Sequence, residues 1–200
     1  MLLGVLALQG DFEAHQRAFE EVGALTRQVR TAADLAAVDA LVMPGGESTT
    51  MLKLLRAESL LAPLRAFALA KPVFATCAGA ILLAKHVTHP EQESLGVVDI
   101  DVERNAYGRQ VHSSITRIPF AGAAQDNGGD GTIEAVFIRA PVIRRAGPGV
   151  TVLARLGNDP VLVSDGRHMI ATFHPELSAD RSIHRRFLAG VQREVEARVV

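Results

Sequence analysis

The chain has 200 residues, 48% of them apolar, and a single cysteine. Its 21 Lys and Arg against 22 Asp and Glu leave a formal net charge of −1, which argues against an obligate binder of nucleic acid or anionic membrane. One cysteine forms no intramolecular disulfide, and the opening MLLGVLALQGDFEAH has no basic leader segment and no apolar run long enough to span a bilayer. The expectation is one domain over residues 1–200, in the reducing cytoplasm.

In chain order, Leu2 to Leu8 is a short apolar run that suits a strand buried on both faces of a parallel sheet. Phe12, Phe19 and Val22 then recur at helical spacing, with Gly23 as the stop. Leu25 to Arg30 alternates as a second strand would, and Ala40 to Met43 is a third apolar run that ends in Pro44-Gly45-Gly46-Glu47-Ser48-Thr49. The following TTMLKLLRAESLLAPLRAFALA reads as one broken helix or two, with Ser59 a candidate cap and Pro63 in a first turn. Val73 to Thr76 is a fourth strand and Ala78 to Lys85 a further helix.

The second half changes character. LGVVDIDVERN, RQVHSSITRIPF, EAVFIRAPVI, VTVLARLG, PVLVSD and HMIATFHPE are strand-like, Asp165-Gly166 marks a hairpin, and one long helix runs from Ser178 to about Val195. Residues Ala121 to Gly131 read as a surface loop. Together these elements predict a three-layer α/β fold, flavodoxin-like, with a mostly parallel central sheet, helices on both faces and antiparallel additions. In such sheets reactive groups gather at the carboxyl ends of the strands, so Gln9, Gly45-Gly46, Cys77 and His174 are expected on one edge.

Cys77 sits between a strand and a helix and is followed by small Ala78 and Gly79, the arrangement of a nucleophile elbow. The helix that begins at Ala78 points N–H groups at the sulfur, and these could equally hold an oxyanion. A buried filler is the plain alternative for a lone cysteine. His174 and Glu176, in FHPE, favour the nucleophile: on an extended chain residues two apart share a face, so the carboxylate can orient an imidazole that serves the thiol. PGGEST offers close backbone approach to a ligand and the Gly46 N–H for a developing oxyanion, though an ordinary turn capped by Ser48 or Thr49 would look the same. His86 and His89 lack partners for a metal set, and none is expected. His15, His112, His168 and His184 are read as solvated or locally bonded. Arg104 and Arg139 end strand-like runs; each is a surface charge by default or an anchor for a substrate carboxylate.

PGGESTT, TCAGAILLAK, VERNAYGRQV, VFIRAP and FHPEL, in this order along nearly the whole chain, resemble the glutaminase subunit of pyridoxal 5′-phosphate synthase, the PdxT/SNO family of triad-type glutamine amidotransferases. The resemblance implies hydrolysis of L-glutamine to glutamate and ammonia, and passage of the ammonia to a synthase subunit, PdxS, without a cofactor. By position it makes Cys77 the nucleophile and His174 and Glu176 its partners. It assigns glutamine contacts to Gly46, Glu47, Ser48, Arg104, Ile138 and Arg139, and the oxyanion hole to the N–H groups of Gly46 and Ala78. It also sets Gln9-Gly10 near the synthase interface. Ala75 stands where relatives commonly have Gly. A glutaminase serving a different synthase, or a catalytically silent docking subunit, are the rival readings.

Overall fold

The computed structural model describes residues 1–106, 113–120 and 131–197. The sequence-predicted loop over 121–131 therefore lies almost wholly outside the described residues, as do His112 and the AYGRQV stretch beyond Ala106.

A sheet of seven strands forms the middle layer. Its parallel part comprises β1 (Leu2–Leu6), β2 (Leu25–Val29), β3 (Ala40–Met43), β4 (Val73–Thr76) and β12 (Met169–Ala171), in the order β2-β1-β3-β4-β12. The antiparallel strands β11 (Asp159–Ser164) and β10 (Thr151–Leu156) extend it beyond β12, and β11 turns into β12 at the expected Asp165-Gly166. The order reverses between β1 and β3, the switch point at which doubly wound sheets bind their ligands. Each central strand is buried on both faces, and its alternation feeds two cores. Leu41, Met43, Val73 and Ala75 belong to one cluster, and Ala40, Val42 and Phe74 to the other.

The first cluster is covered by α2 (Ala32–Ala36), α3 (Ser48–Ala57), α4 (Leu61–Ala70) and α5 (Ala78–Leu83). The second is covered by α1 (Phe12–Glu20) and α6 (Ser182–Ala197), whose Ile183, Phe187, Leu188 and Val191 form the expected apolar face. Each fully buried side chain of this size, Phe74 for example, contributes about 1.5–3 kcal/mol by leaving water. Two smaller sheets complete the fold: β5 (Ala84–Thr88), β6 (Val98–Glu103) and β9 (Val142–Ala146), and the hairpin of β7 (Ser114–Pro119) with β8 (Thr132–Phe137).

Several boundaries differ from expectation, each for a local reason. The helix after Cys77 ends at Leu83, and Ala84 to Thr88 become β5, because the backbone turns extended at Ala84 and pairs with β6. The run EAVFIRAPVI is cut between β8 and β9 at Arg139, which has φ +45°. Ser59 has positive φ and is not the cap; α4 starts at Leu61, its N-cap Leu60 makes no side-chain hydrogen bond, and Pro63 lies in its first turn. The helix expected from Ser178 starts at Ser182, since Ser178 and Asp180 spend their side chains on the N–H groups of Asp180 and Ser182. α2 escapes a periodicity reading by its shortness and is held by a Thr31–Asp34 capping box.

Candidate active site

β4 delivers Cys77 to the first residue before α5 with φ 47° and ψ −102°, a conformation that costs a residue with a Cβ about 1–3 kcal/mol. The strain is held by neighbours: the Cys77 N–H donates to the Ala171 carbonyl at 2.9 Å, and Thr76 is in register with Ala171 of β12. The chain leaving β12 carries His174, so Cys77 and His174 emerge from adjacent strands.

Pro175 to Leu177 form a single 3₁₀ turn. The pairing of His174 with Glu176 therefore does not come from an extended chain, as expected from their spacing; the turn folds the carboxylate back, and His174 Nδ1 lies 2.8 Å from Glu176 Oε1. Cys77 also lies close enough to the ring to favour its charged form. Burial opposes charge on His174, but Cys77 and Glu176 outweigh it and lift its pKa to about 10. Glu176 is itself buried, which alone would favour its neutral acid; His15 and His174 reverse this and hold it well below the usual carboxylate range.

Gly45 fills the third side. A Cβ there would lie 2.5 Å from His174 Cε1 and 3.2 Å from Cys77 Cβ, so the position admits no side chain without moving the pair. Gly46 has φ +141° and lies against the side chain of Gln9, whose Oε1 accepts the Glu47 N–H at 3.1 Å. Glu47, not Ser48 or Thr49, caps α3: its carboxylate accepts the N–H groups of Thr49 and Thr50 at 3.1 and 2.7 Å. Burial disfavours its charge, and these hydrogen bonds prevail and lower its pKa. Ser48 Oγ donates to Gln92 at 2.9 Å.

These segments enclose a cleft of about 290 Å³. Cys77, His174, Gly46, Glu47 and Ser48 line it. Arg104, Ile138 and Arg139 line it as well. Arg104 Nη2 donates to Thr49 Oγ1 at 3.1 Å and lies 3.6 Å from Glu47 Oε1, so the arginine is held at the cleft. Glu176 and Ala78 are not on the cleft surface; they are buried behind His174 and under Cys77. Gln9 lines it too, and so do Ile81, Asn105 and Pro141, which were not singled out in the sequence. A larger groove of about 460 Å³, lined by Arg167, Arg186 and Arg193, contains neither Cys77 nor His174.

The remaining histidines correct the sequence reading. His15, His168 and His184 are buried rather than solvated. His15 bonds not locally but to Thr76 of β4, 61 residues away, while neither ring nitrogen of His184 has a hydrogen-bond partner. Among the described residues no group of three or more His, Cys, Asp or Glu side chains could hold a metal, and no helix is long and apolar enough to cross a membrane.

A doubly wound sheet with a strained cysteine at one strand end and a His-Glu pair at the next describes a triad-type amidotransferase. The model of the SNO glutamine amidotransferase family matches residues 5–193, and the chain belongs to that family. It is 54% identical over 187 residues to the pyridoxal 5′-phosphate synthase subunit PdxT of Solibacter usitatus, covering 94% of this chain and 97% of the relative. The subunit of the same name from Koribacter versatilis is 48% identical over 192 residues, with 96% of each chain covered. A solved crystal structure of a glutamine amidotransferase superposes with a TM-score of 0.85 at 46% identity, covering 95% of this chain and 98% of that one.

Proposed function

We propose that the chain, as one glutaminase domain over residues 1–200, hydrolyses L-glutamine to glutamate and ammonia and supplies the ammonia for pyridoxal 5′-phosphate synthesis. The observation that carries this is the convergence of Cys77, His174 and the PGGES turn on one cleft, in a chain about half identical over nearly its full length to named PdxT subunits. In this reading Arg104 and Arg139 take the substrate α-carboxylate, while backbone at Gly46 and Ile138 and the Glu47–Ser48 turn seat the rest of the amino acid.

Cys77 sulfur attacks the side-chain carboxamide, and the oxyanion is received by the N–H groups of Gly46 and Ala78. His174, which burial alone would leave neutral but Cys77 and Glu176 keep protonated, gives its proton to the departing ammonia. It then takes a proton from the water that cleaves the thioester. Glu176 fixes the Nδ1–H tautomer, so that Nε2 is the atom facing sulfur and substrate.

The partner in this reading is the PdxS synthase subunit, docked near Gln9-Gly10 and receiving ammonia without its release to solvent. The setting is the cytoplasm, where a free thiol nucleophile stays reduced. The test is glutamate release from L-glutamine with and without the synthase subunit. Stimulation that is lost in Cys77→Ala is expected; absence of any stimulation would refute the pairing, and full activity in Cys77→Ala the mechanism.

A further inference from the structure

On the side of Glu176 away from the cleft lies a second histidine that the hydrolysis as written does not use. His15, on α1, is fully buried, with its ring edge-on to Phe74 at 6.1 Å. Its Nε2 is 3.0 Å from Thr76 Oγ1 and 3.2 Å from Glu176 Oε2. Thr76 immediately precedes the nucleophile, and Glu176 follows the base by two residues. One ring nitrogen therefore touches both segments that carry the chemistry.

The tautomer follows from what surrounds the ring. Nδ1 of His15 is buried with no hydrogen-bond partner, and an orphaned buried N–H is costlier than a bare ring nitrogen. The hydrogen thus belongs on Nε2, between two oxygen acceptors. Oε2 of Glu176 is buried and has no hydrogen-bond partner, but it lies 3.2 Å from Nε2, near enough for an Nε2–H shared with Thr76 Oγ1 to offset its charge.

We propose that His15 is a positioning residue for the glutaminase reaction: its Nε2–H steadies Oε2 of Glu176, with Thr76 Oγ1 bracing the same nitrogen, so that Oε1 stays aimed at His174. The proposal rests on the reading of Cys77, His174 and Glu176 as a triad. Without the donor, one oxygen of a buried carboxylate is left uncompensated, and the aim of His174 at Cys77 loosens.

The test uses the chain together with the synthase subunit. His15→Leu is expected to lower kcat by about 10- to 100-fold, the usual cost of losing a group that orients a functional side chain, with KM for glutamine nearly unchanged. His15→Gln carries an amide N–H to the place of Nε2 and is expected to recover kcat to within about threefold of wild type. In a Glu176→Gln background, His15→Leu should cost little more. Independently of turnover, ¹⁵N-detected NMR of the histidine rings should show His15 protonated at Nε2 and bare at Nδ1.

Wild-type kcat in a folded His15→Leu variant, a His15→Gln variant no better than His15→Leu, or an Nδ1–H tautomer would each overturn the proposal. If His15→Leu does not fold, the glutamine variant and the tautomer decide, the variant then needing at least about a third of wild-type kcat. Full activity in Cys77→Ala would instead overturn the triad reading, and so the two failures are told apart.

Discussion

Gly45 and His174 are packed so closely that a single methyl group on the glycine would reach to 2.5 Å from the imidazole Cε1. The absent side chain leaves open the space between His174 and Cys77. Gly45→Ala is therefore expected to displace His174 by a fraction of an ångström or more and to lower kcat by roughly 100-fold. Steady-state glutamate release, with a thermal melt to confirm folding, checks this; a fully active alanine variant would mean that the ring can yield freely.

The triad members should differ in cost. Cys77→Ala removes the bond-forming atom and should leave only background hydrolysis, whereas Glu176→Gln retains the cysteine and should be less severe by roughly two orders of magnitude. With the pKa of His174 lifted to about 10 by Cys77 and Glu176 against the effect of burial, the imidazole holds its proton below that pH and loses it above. The alkaline limb of kcat/KM, which reports the substrate-free protein, should accordingly lie near pH 10 in the wild type and move toward neutrality in Glu176→Gln.

Arg104 is oriented by Thr49 Oγ1 at 3.1 Å and lies 3.6 Å from the exposed Glu47 carboxylate, a pair that solvent screens and that a carboxylate in the cleft would compete with. Arg104→Ala is expected to raise KM for glutamine by about 10- to 100-fold, the worth of a charge-assisted hydrogen bond, with kcat affected much less. A series comparing glutamine with analogues lacking the α-carboxylate measures it directly: the variant's loss should vanish for those analogues.

His184 makes a prediction about stability. Burial foremost, with His15 and Arg181 nearby, pushes its pKa down from 6.5 to about 3. The unfolded chain therefore binds a proton that the folded chain refuses, so stability is complete above pH 6.5 and falls as the pH drops. Between pH 6.5 and 4.5 this amounts to about 2–3 kcal/mol, before the carboxylate of Glu176 begins to matter. Denaturant melts across that window should show a shallower acid slope in His184→Leu. A residual slope is expected from His168, which burial also lowers.

Much of this was legible in the sequence because it is written locally. Cys77 between Val73–Thr76 and Ala78–Leu83 follows from one apolar run and its small neighbours, while the positions that only the family resemblance assigned to glutamine all line the cleft. His15 was not legible: its partner Thr76 is 61 residues away, and nothing in FEAHQRAFE distinguishes a histidine turned into the core from one turned to water. β5 was misread for a related reason, since Ala84 to Thr88 become a strand by pairing with β6 rather than by any pattern of their own. The capping of α3 by Glu47 was missed because a longer carboxylate does there what Ser or Thr usually does.

Cys77 is the single sulfhydryl in these 200 residues. Were it oxidised to a sulfenic acid, no second cysteine of the chain could capture that sulfur as a disulfide and shield it from further oxidation. Restoring the nucleophile then depends on thiols supplied from outside, so the supply of ammonia by this enzyme is tied to the reducing capacity of its surroundings.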